Sequence, residues 1–253
     1  MRVAGHVFHG LLIVMTRFDA LDADARRERV RWWSIKLLRV LGIALEQEGT
    51  PRQGAKLYVA NHISWLDIVA INAVSPSRFV SKSEVGRWPL IGRLVTAADT
   101  LYLVRQRQRD ALRVVHLVAE ALKGGDTVAV FPEGTTGEGH ELLTFHANML
   151  QAAIATEIPV QPIALMYSDP KHAVSPAVAY VGDTSLVQSL WWVASAECLR
   201  VRLMILPAEG TRHLDRRALA ERVRGQIGAA LAGWQAGSCL TLEPPPGGGA
   251  GER

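Results

Sequence analysis

In Leu57-Tyr58-Val59-Ala60-Asn61-His62-Ile63-Ser64-Trp65-Leu66-Asp67 a short apolar run breaks at Asn61-His62 and gives way to a pattern with helical spacing. An apolar run bounded by polar residues predicts a buried strand over Leu57–Ala60, and the following periodicity predicts a helix over Ser64–Val74. A strand feeding straight into a helix is the unit from which open α/β sheets are built.

The same alternation runs along the chain. Further strands are expected at Phe79–Ser81, Thr100–Val104, Thr127–Phe131, Val160–Met166, Val178–Val181 and Val201–Leu206. Helices are expected at Asp24–Leu45, Pro89–Ala97, Arg109–Leu122, His146–Ala155, Leu186–Ser195 and Asp215–Ala232. Gly124-Gly125-Asp126 supplies a helix stop before the Thr127 strand. The expected fold is α/β, a single domain with a mixed, largely parallel sheet flanked by helices and preceded by an amphipathic N-terminal helical segment. The boundaries expected are 1–45 for a helical, membrane-associating segment, 46–243 for the α/β domain, and 244–253 for a Pro- and Gly-rich disordered tail.

His62 and Asp67 are the candidate chemical pair. On one continuous helix the five-residue step turns about 500°, so the two side chains would point about 140° apart and could not share a hydrogen bond. They meet only if His62 stands on the turn before the helix, with Ser64 as N-cap and Asp67 in the first turn. Asp67 then fixes one ring nitrogen and leaves the other to act as a base. Ser64-Trp65-Leu66-Asp67 also has the form of a capping box, in which Asp67 serves only the helix terminus. Spacing alone leaves both readings open. Phe131-Pro132-Glu133-Gly134-Thr135-Thr136 follows another strand-like run and puts a carboxylate and a glycine turn where open sheets hold their ligands.

The 253 residues carry a net charge of +4 and a sequence pI near 9.3, which points to an anionic partner. Basic residues crowd Arg26, Arg27, Arg29, Arg31, Lys36 and Arg39, and again Arg105, Arg107 and Arg109. No nucleic-acid motif accompanies them, and aromatics are not interleaved at strand spacing, so nucleic acid is not an expected partner. Over the helix at Asp24–Leu45, an apolar stripe through Val30, Trp33 and Leu37 is matched by a basic, Trp-bearing stripe of Arg29, Trp32, Lys36 and Arg39. Such a face suits either anionic headgroups or solvent. The apolar stretch Val7–Met15 is too short to cross about 30 Å of hydrocarbon, which takes roughly 20 residues. Cys198 and Cys239 have no partner spacing for a disulfide or zinc. His140 and His146 are six apart and could not share one helical face, and there is no Gly-x-Ser-x-Gly elbow.

Asn61-His62 with Asp67, and Phe131-Pro132-Glu133-Gly134-Thr135, resemble the two signature motifs of the glycerolipid acyltransferases of the 1-acyl-glycerol-3-phosphate acyltransferase type. Phe79-Val80-Ser81-Lys82-Ser83-Glu84, Trp88-Pro89-Leu90-Ile91-Gly92, Leu101-Tyr102-Leu103-Val104-Arg105 and Ile158-Pro159-Val160-Gln161-Pro162-Ile163-Ala164 resemble the family's intervening and following blocks, over about Leu57 to Leu165. The resemblance implies acyl transfer to the free hydroxyl of a lysophospholipid, with His62 as general base and Asp67 as its orienter. It implies acceptor binding by Arg105, Glu133, Gly134 and Thr135, with Glu133 either holding a headgroup or ordering its loop, while the basic Lys82, Arg105, Arg107 and Arg109 are candidates to meet the donor's phosphates or an acidic carrier. The donor is acyl-CoA or acyl carrier protein as co-substrate, with no cofactor and no metal. The expected place is an anionic membrane surface, the cytoplasmic face of the inner membrane. One position departs from the family: many relatives have Arg after Gly-Thr, where this chain has Thr136. Without that bidentate partner for phosphate, a lysolipid such as lyso-ornithine lipid stays open as acceptor, with ester hydrolysis or lipid binding as further alternatives.

Overall fold

A computed structural model describes residues 2–103 and 108–241, the side chains of 108–111 and 237–241 excepted. The expected tail, 244–253, lies outside the described residues.

The strands are β1 (Ala44–Glu48), β2 (Lys56–Ala60), β3 (Arg78–Lys82), β4 (Leu101–Leu103), β5 (Thr127–Val130), β6 (Val160–Ser168) and β7 (Arg200–Ile205). The helices are α1 (Arg2–Thr16), α2 (Ala23–Val40), α3 (Leu66–Val74), α4 (Ser83–Gly86), α5 (Ile91–Ala97), α6 (Gln108–Lys123), α7 (Gln151–Thr156), α8 (Leu186–Ser195) and α9 (Arg216–Thr241). The strands form one seven-stranded sheet in the order β1-β7-β6-β2-β5-β3-β4. Among the described strands, only the β6–β7 pairing is antiparallel. The carboxyl ends of β2, β3 and β5 therefore fall along one edge of the sheet. That edge receives Asn61, Lys82 and Phe131.

β2 lies between β6 and β5, and all five of its residues are buried. Its alternation divides the core: Tyr58 and Ala60 join Leu38, Leu66 and Ile71 on one face, while Leu57 and Val59 join Val118, Leu122 and Val223 on the other. Helices α2, α3 and α8 cover the first face, and α6, α7 and α9 cover the second.

Two expectations are corrected. The helix expected to reach Leu45 ends at Val40, and Ala44–Glu48 is a strand. Gly42, at φ 74°, makes the stop: its N–H donates to Arg39 O at 3.1 Å and that of Ile43 to Leu38 O at 2.9 Å. Val178–Val181 is not a strand. Ser175 and Pro176 start a 3₁₀ turn at Pro176–Val178, and the chain then returns Tyr180 N–H to Ile63 O at 3.2 Å.

α1 touches α2 and α5 but contributes nothing to the sheet. Its inner residues Val3, Val7 and Gly10 line an apolar cavity of about 240 Å³, while Phe8, Leu12 and Met15 face outward and exposed. Among the described residues no helix is long and apolar enough to cross a membrane.

Candidate active site

The chain leaves the sheet after Ala60, the last β2 residue paired to β6. Asn61 then does with its side chain what the backbone no longer does. Its Nδ2 donates to Leu165 O at 2.9 Å and its Oδ1 accepts from Leu165 N at 2.8 Å. The amide copies a peptide unit and closes one more rung, so the backbone can turn while its polar partners on β6 stay satisfied.

That turn carries His62. Asp67 lies in the first turn of α3 and is fully buried. Its Oδ2 accepts from His62 Nδ1 at 2.8 Å, Ile63 N at 2.7 Å and Ser64 N at 2.9 Å, and its Oδ1 accepts from the Tyr167 hydroxyl at 2.9 Å. The two readings of Asp67 are thus both present, because one oxygen gathers the turn's backbone donors and the imidazole together. Ser64 is not the N-cap expected of it. Trp65 occupies that position, and the buried Ser64 hydroxyl has no hydrogen-bond partner among the described residues.

The imidazole lies flat on Phe131, centroids 3.9 Å apart and planes 8° from parallel, and Phe131 in turn stacks on Phe79. With Nδ1 bound to Asp67, Nε2 is the nitrogen left for proton transfer, on a ring that stays partly exposed. The ring hydrogens' placement follows from these partners.

Glu133 is buried beneath the same turn. Its Oε1 accepts from His62 N at 2.7 Å and its Oε2 from Leu143 N at 3.0 Å. Burial pushes its carboxyl above the ordinary value, opposed by those two backbone donors. Of the two roles open to Glu133, these bonds are those of ordering the loop. Gly134 follows at φ 69°, where a Cβ would stand 3.2 Å from the His146 ring, so both the turn and the close approach call for glycine. Thr135 is exposed, and the Thr136 hydroxyl is turned to the Tyr180 carbonyl. Gly137 N–H donates to His62 O at 2.8 Å and clasps the turn from a third side.

The structure brings together His62, Asp67, Glu133, Gly134 and Thr135. Lys82 ends β3, exposed, on the same sheet edge. Arg105 lies outside the described residues. Sequence reasoning missed Tyr167 and the stacking of Phe131. The available signal for Tyr167 was a tyrosine inside an apolar strand, since a buried phenol calls for a polar partner.

Behind the Phe131–Phe79 stack lies the apolar cavity. Phe79, Ser81 and Trp65 bound it on the sheet side, and Trp33, Gly10 and Leu190 on the far side. Trp65 is held there by its indole N–H on Ser189 Oγ at 3.0 Å. Among the described residues, no group of three or more His, Cys, Asp or Glu could hold a metal ion.

The arrangement sets an imidazole, oriented by a buried carboxylate, beside an apolar chamber, and the chain as a whole is similar in sequence to known proteins. A family model described as Acyltransferase matches residues 43–166. A lyso-ornithine lipid O-acyltransferase from Pseudomonas aeruginosa is 34% identical over 86% of this chain and 84% of its own length. A 1-acyl-sn-glycerol-3-phosphate acyltransferase from Neisseria meningitidis is 34% identical over 76% of this chain and 75% of its own length. In fold, the chain is similar to the crystal structure of the 1-acyl-sn-glycerophosphate acyltransferase PlsC from Thermotoga maritima, with a TM-score of 0.69 at 19% identity, covering 97% of this chain and all of that one. With these matches, the chain belongs to the lysophospholipid acyltransferase family, which contains the 1-acyl-glycerol-3-phosphate and lyso-ornithine lipid O-acyltransferases.

Proposed function

We propose that the protein moves a fatty acyl group from an acyl thioester, acyl-CoA or acyl carrier protein, to the free hydroxyl of 1-acyl-glycerol-3-phosphate, giving phosphatidate. The observation that carries this reading is the 2.8 Å bond from His62 Nδ1 to the buried Asp67 carboxylate, which commits the other ring nitrogen to the reacting proton. The acceptor oxygen forms a bond to the thioester carbonyl carbon as its proton passes to Nε2. The C–S bond then breaks, and the proton goes on to the departing thiolate. A thioester is already activated, so no acyl-enzyme is needed.

We assign the donor's acyl chain to the apolar cavity, and Lys82 and Arg105 to the donor or acceptor phosphate. Glu133 holds the loop that presents Gly134 and Thr135 to the acceptor. Peripheral attachment to the cytoplasmic face of the inner membrane is supported by the outward apolar residues Phe8, Leu12 and Met15 of α1 and Val187 and Trp191 of α8. Trp32 adds an indole flanked by Arg29 and Lys36, at 5.5 and 4.9 Å from its ring centre.

A second acceptor, lyso-ornithine lipid, is favoured by one observation: Thr136 replaces the family's arginine, and its hydroxyl is engaged by Tyr180. Purified protein with labelled acyl-CoA and a panel of lysolipids separates the readings. Diacyl product from 1-acyl-glycerol-3-phosphate supports the first, and diacyl product from lyso-ornithine lipid alone supports the second. Free fatty acid alone would mean hydrolysis, and no turnover with any acceptor or donor would mean a binding module.

A further inference from the structure

We infer that Tyr167 is a positioning residue for the transfer reaction, the group that aims the Asp67 carboxylate at His62; this rests on reading His62 and Asp67 as the catalytic pair. Tyr167 stands near the end of β6, wholly buried, and its hydroxyl donates to Asp67 Oδ1 at 2.9 Å. The other oxygen carries three donors, from His62, Ile63 and Ser64. A carboxylate is free to rotate about its Cβ–Cγ bond. With donors on both oxygens that rotation is locked, and Oδ2 faces the imidazole.

Removing the phenol oxygen leaves Oδ1 without a partner in a residue closed to solvent, where water does not replace the lost donor. The carboxylate then either keeps an unsatisfied oxygen or turns, and turning takes Oδ2 from His62. The phenol also shares the negative charge. Without it the full charge faces His62 and holds the imidazolium form more tightly, so the base is free only at higher pH. Glu133, from the loop after β5, is the other titratable group set against both members of the pair, and it is unaltered by the change. Burial first, and the Asp67 charge second, hold the Tyr167 phenol well above its ordinary range, so it stays a donor throughout and never relays a proton itself.

The test is acyl transfer by the full-length protein and its Tyr167→Phe variant across pH. The expected result is a fall in kcat of about tenfold or more near neutrality, with KM for donor and acceptor changed by less than about twofold. The acid limb of the pH–rate profile is expected to move upward by about half a unit or more. In an Asp67→Asn background the same substitution should cost nothing further, because Tyr167 acts through Asp67. If Tyr167→Phe does not fold, 3-fluorotyrosine at position 167 keeps the fold and donates more strongly, and the acid limb should move downward. An unmoved acid limb in the variant that folds, or an equal loss with Asp67→Asn, overturns the proposal. Full activity in His62→Ala would instead overturn the catalytic reading beneath it, so the two failures are distinguishable.

Discussion

The Asn61 side chain and the Leu165 backbone are joined by two hydrogen bonds, at 2.9 and 2.8 Å, on the rung where the β2 backbone has already turned away from β6. An aspartate there keeps the acceptor and loses the donor, so Leu165 O goes unpaired in the core. Asn61→Asp should destabilise the protein by about 1–3 kcal/mol and displace the His62 turn. Chemical denaturation and turnover check this together; full stability with full activity would show the rung to be dispensable.

For the proposed catalytic pair, His62→Ala should fold normally and lose about 10²–10⁴ in kcat. Asp67→Asn should lose activity and stability together, because the same oxygen serves the imidazole and two backbone donors. A stability loss of about 1–3 kcal/mol without a kinetic defect would return Asp67 to a purely capping role.

How far the sequence reveals this site depends on how local each feature is. The His62–Asp67 bond is legible as one of two readings, because helix geometry lets a five-residue step close only if His62 stands on the turn before the helix. Tyr167 is not, since its partner lies a hundred positions away and β6 is apolar by pattern whichever way its tyrosine points. The helix expected to run on through Ala44 and Leu45 fails for the same reason, since these residues open the strand Ala44–Glu48. Its residues are mostly polar and become a strand by pairing with β7, which no local periodicity discloses. Val178–Val181 fails in the opposite sense, an apolar run that the Ser175-Pro176 start diverts into a 3₁₀ turn.

Gly10 is where α1 meets α2. A Cβ on it would lie 2.4 Å from Trp33 Nε1 and 3.2 Å from Leu94. Gly10→Val should lift α1 from the apolar cavity, raising KM for a long-chain acyl donor roughly tenfold, what unburying about two methylenes costs. A short-chain donor should be affected far less. Equal changes for both donors would detach the cavity from the acyl chain.

His6 packs against Trp33, with ring centres 4.9 Å apart, and its Nε2 lies 3.0 Å from Trp33 O. Burial lowers its pKa below the ordinary 6.5, helped by Lys36 and His9 and opposed by the Trp33 carbonyl. A folded value below the unfolded one means the neutral ring stabilises α1 above about pH 6.5, and that contribution is lost as pH falls through the folded value. Amide hydrogen exchange in α1, corrected for its intrinsic pH dependence, should show protection falling on acidification, and His6→Phe should abolish the effect. Protection in α1 that is constant with pH would refute it.

At the surface, changing Arg29, Lys36 and Arg39 to Gln should weaken binding to anionic vesicles at low salt by about 1 kcal/mol per charge. Neutral vesicles should show no difference. Unchanged sedimentation with anionic vesicles would assign this face to solvent.

The donors to Asp67 and Asn61 come from two distant parts of the chain, the turn after β2 and the second half of β6. During synthesis the residues of the His62 turn emerge long before Leu165 and Tyr167 do. Asp67 therefore lacks its Tyr167 donor, and Asn61 its Leu165 partner, until two thirds of the chain has left the ribosome. A chain that stops before β6 carries both motifs without the β6 partners of Asn61 and Asp67.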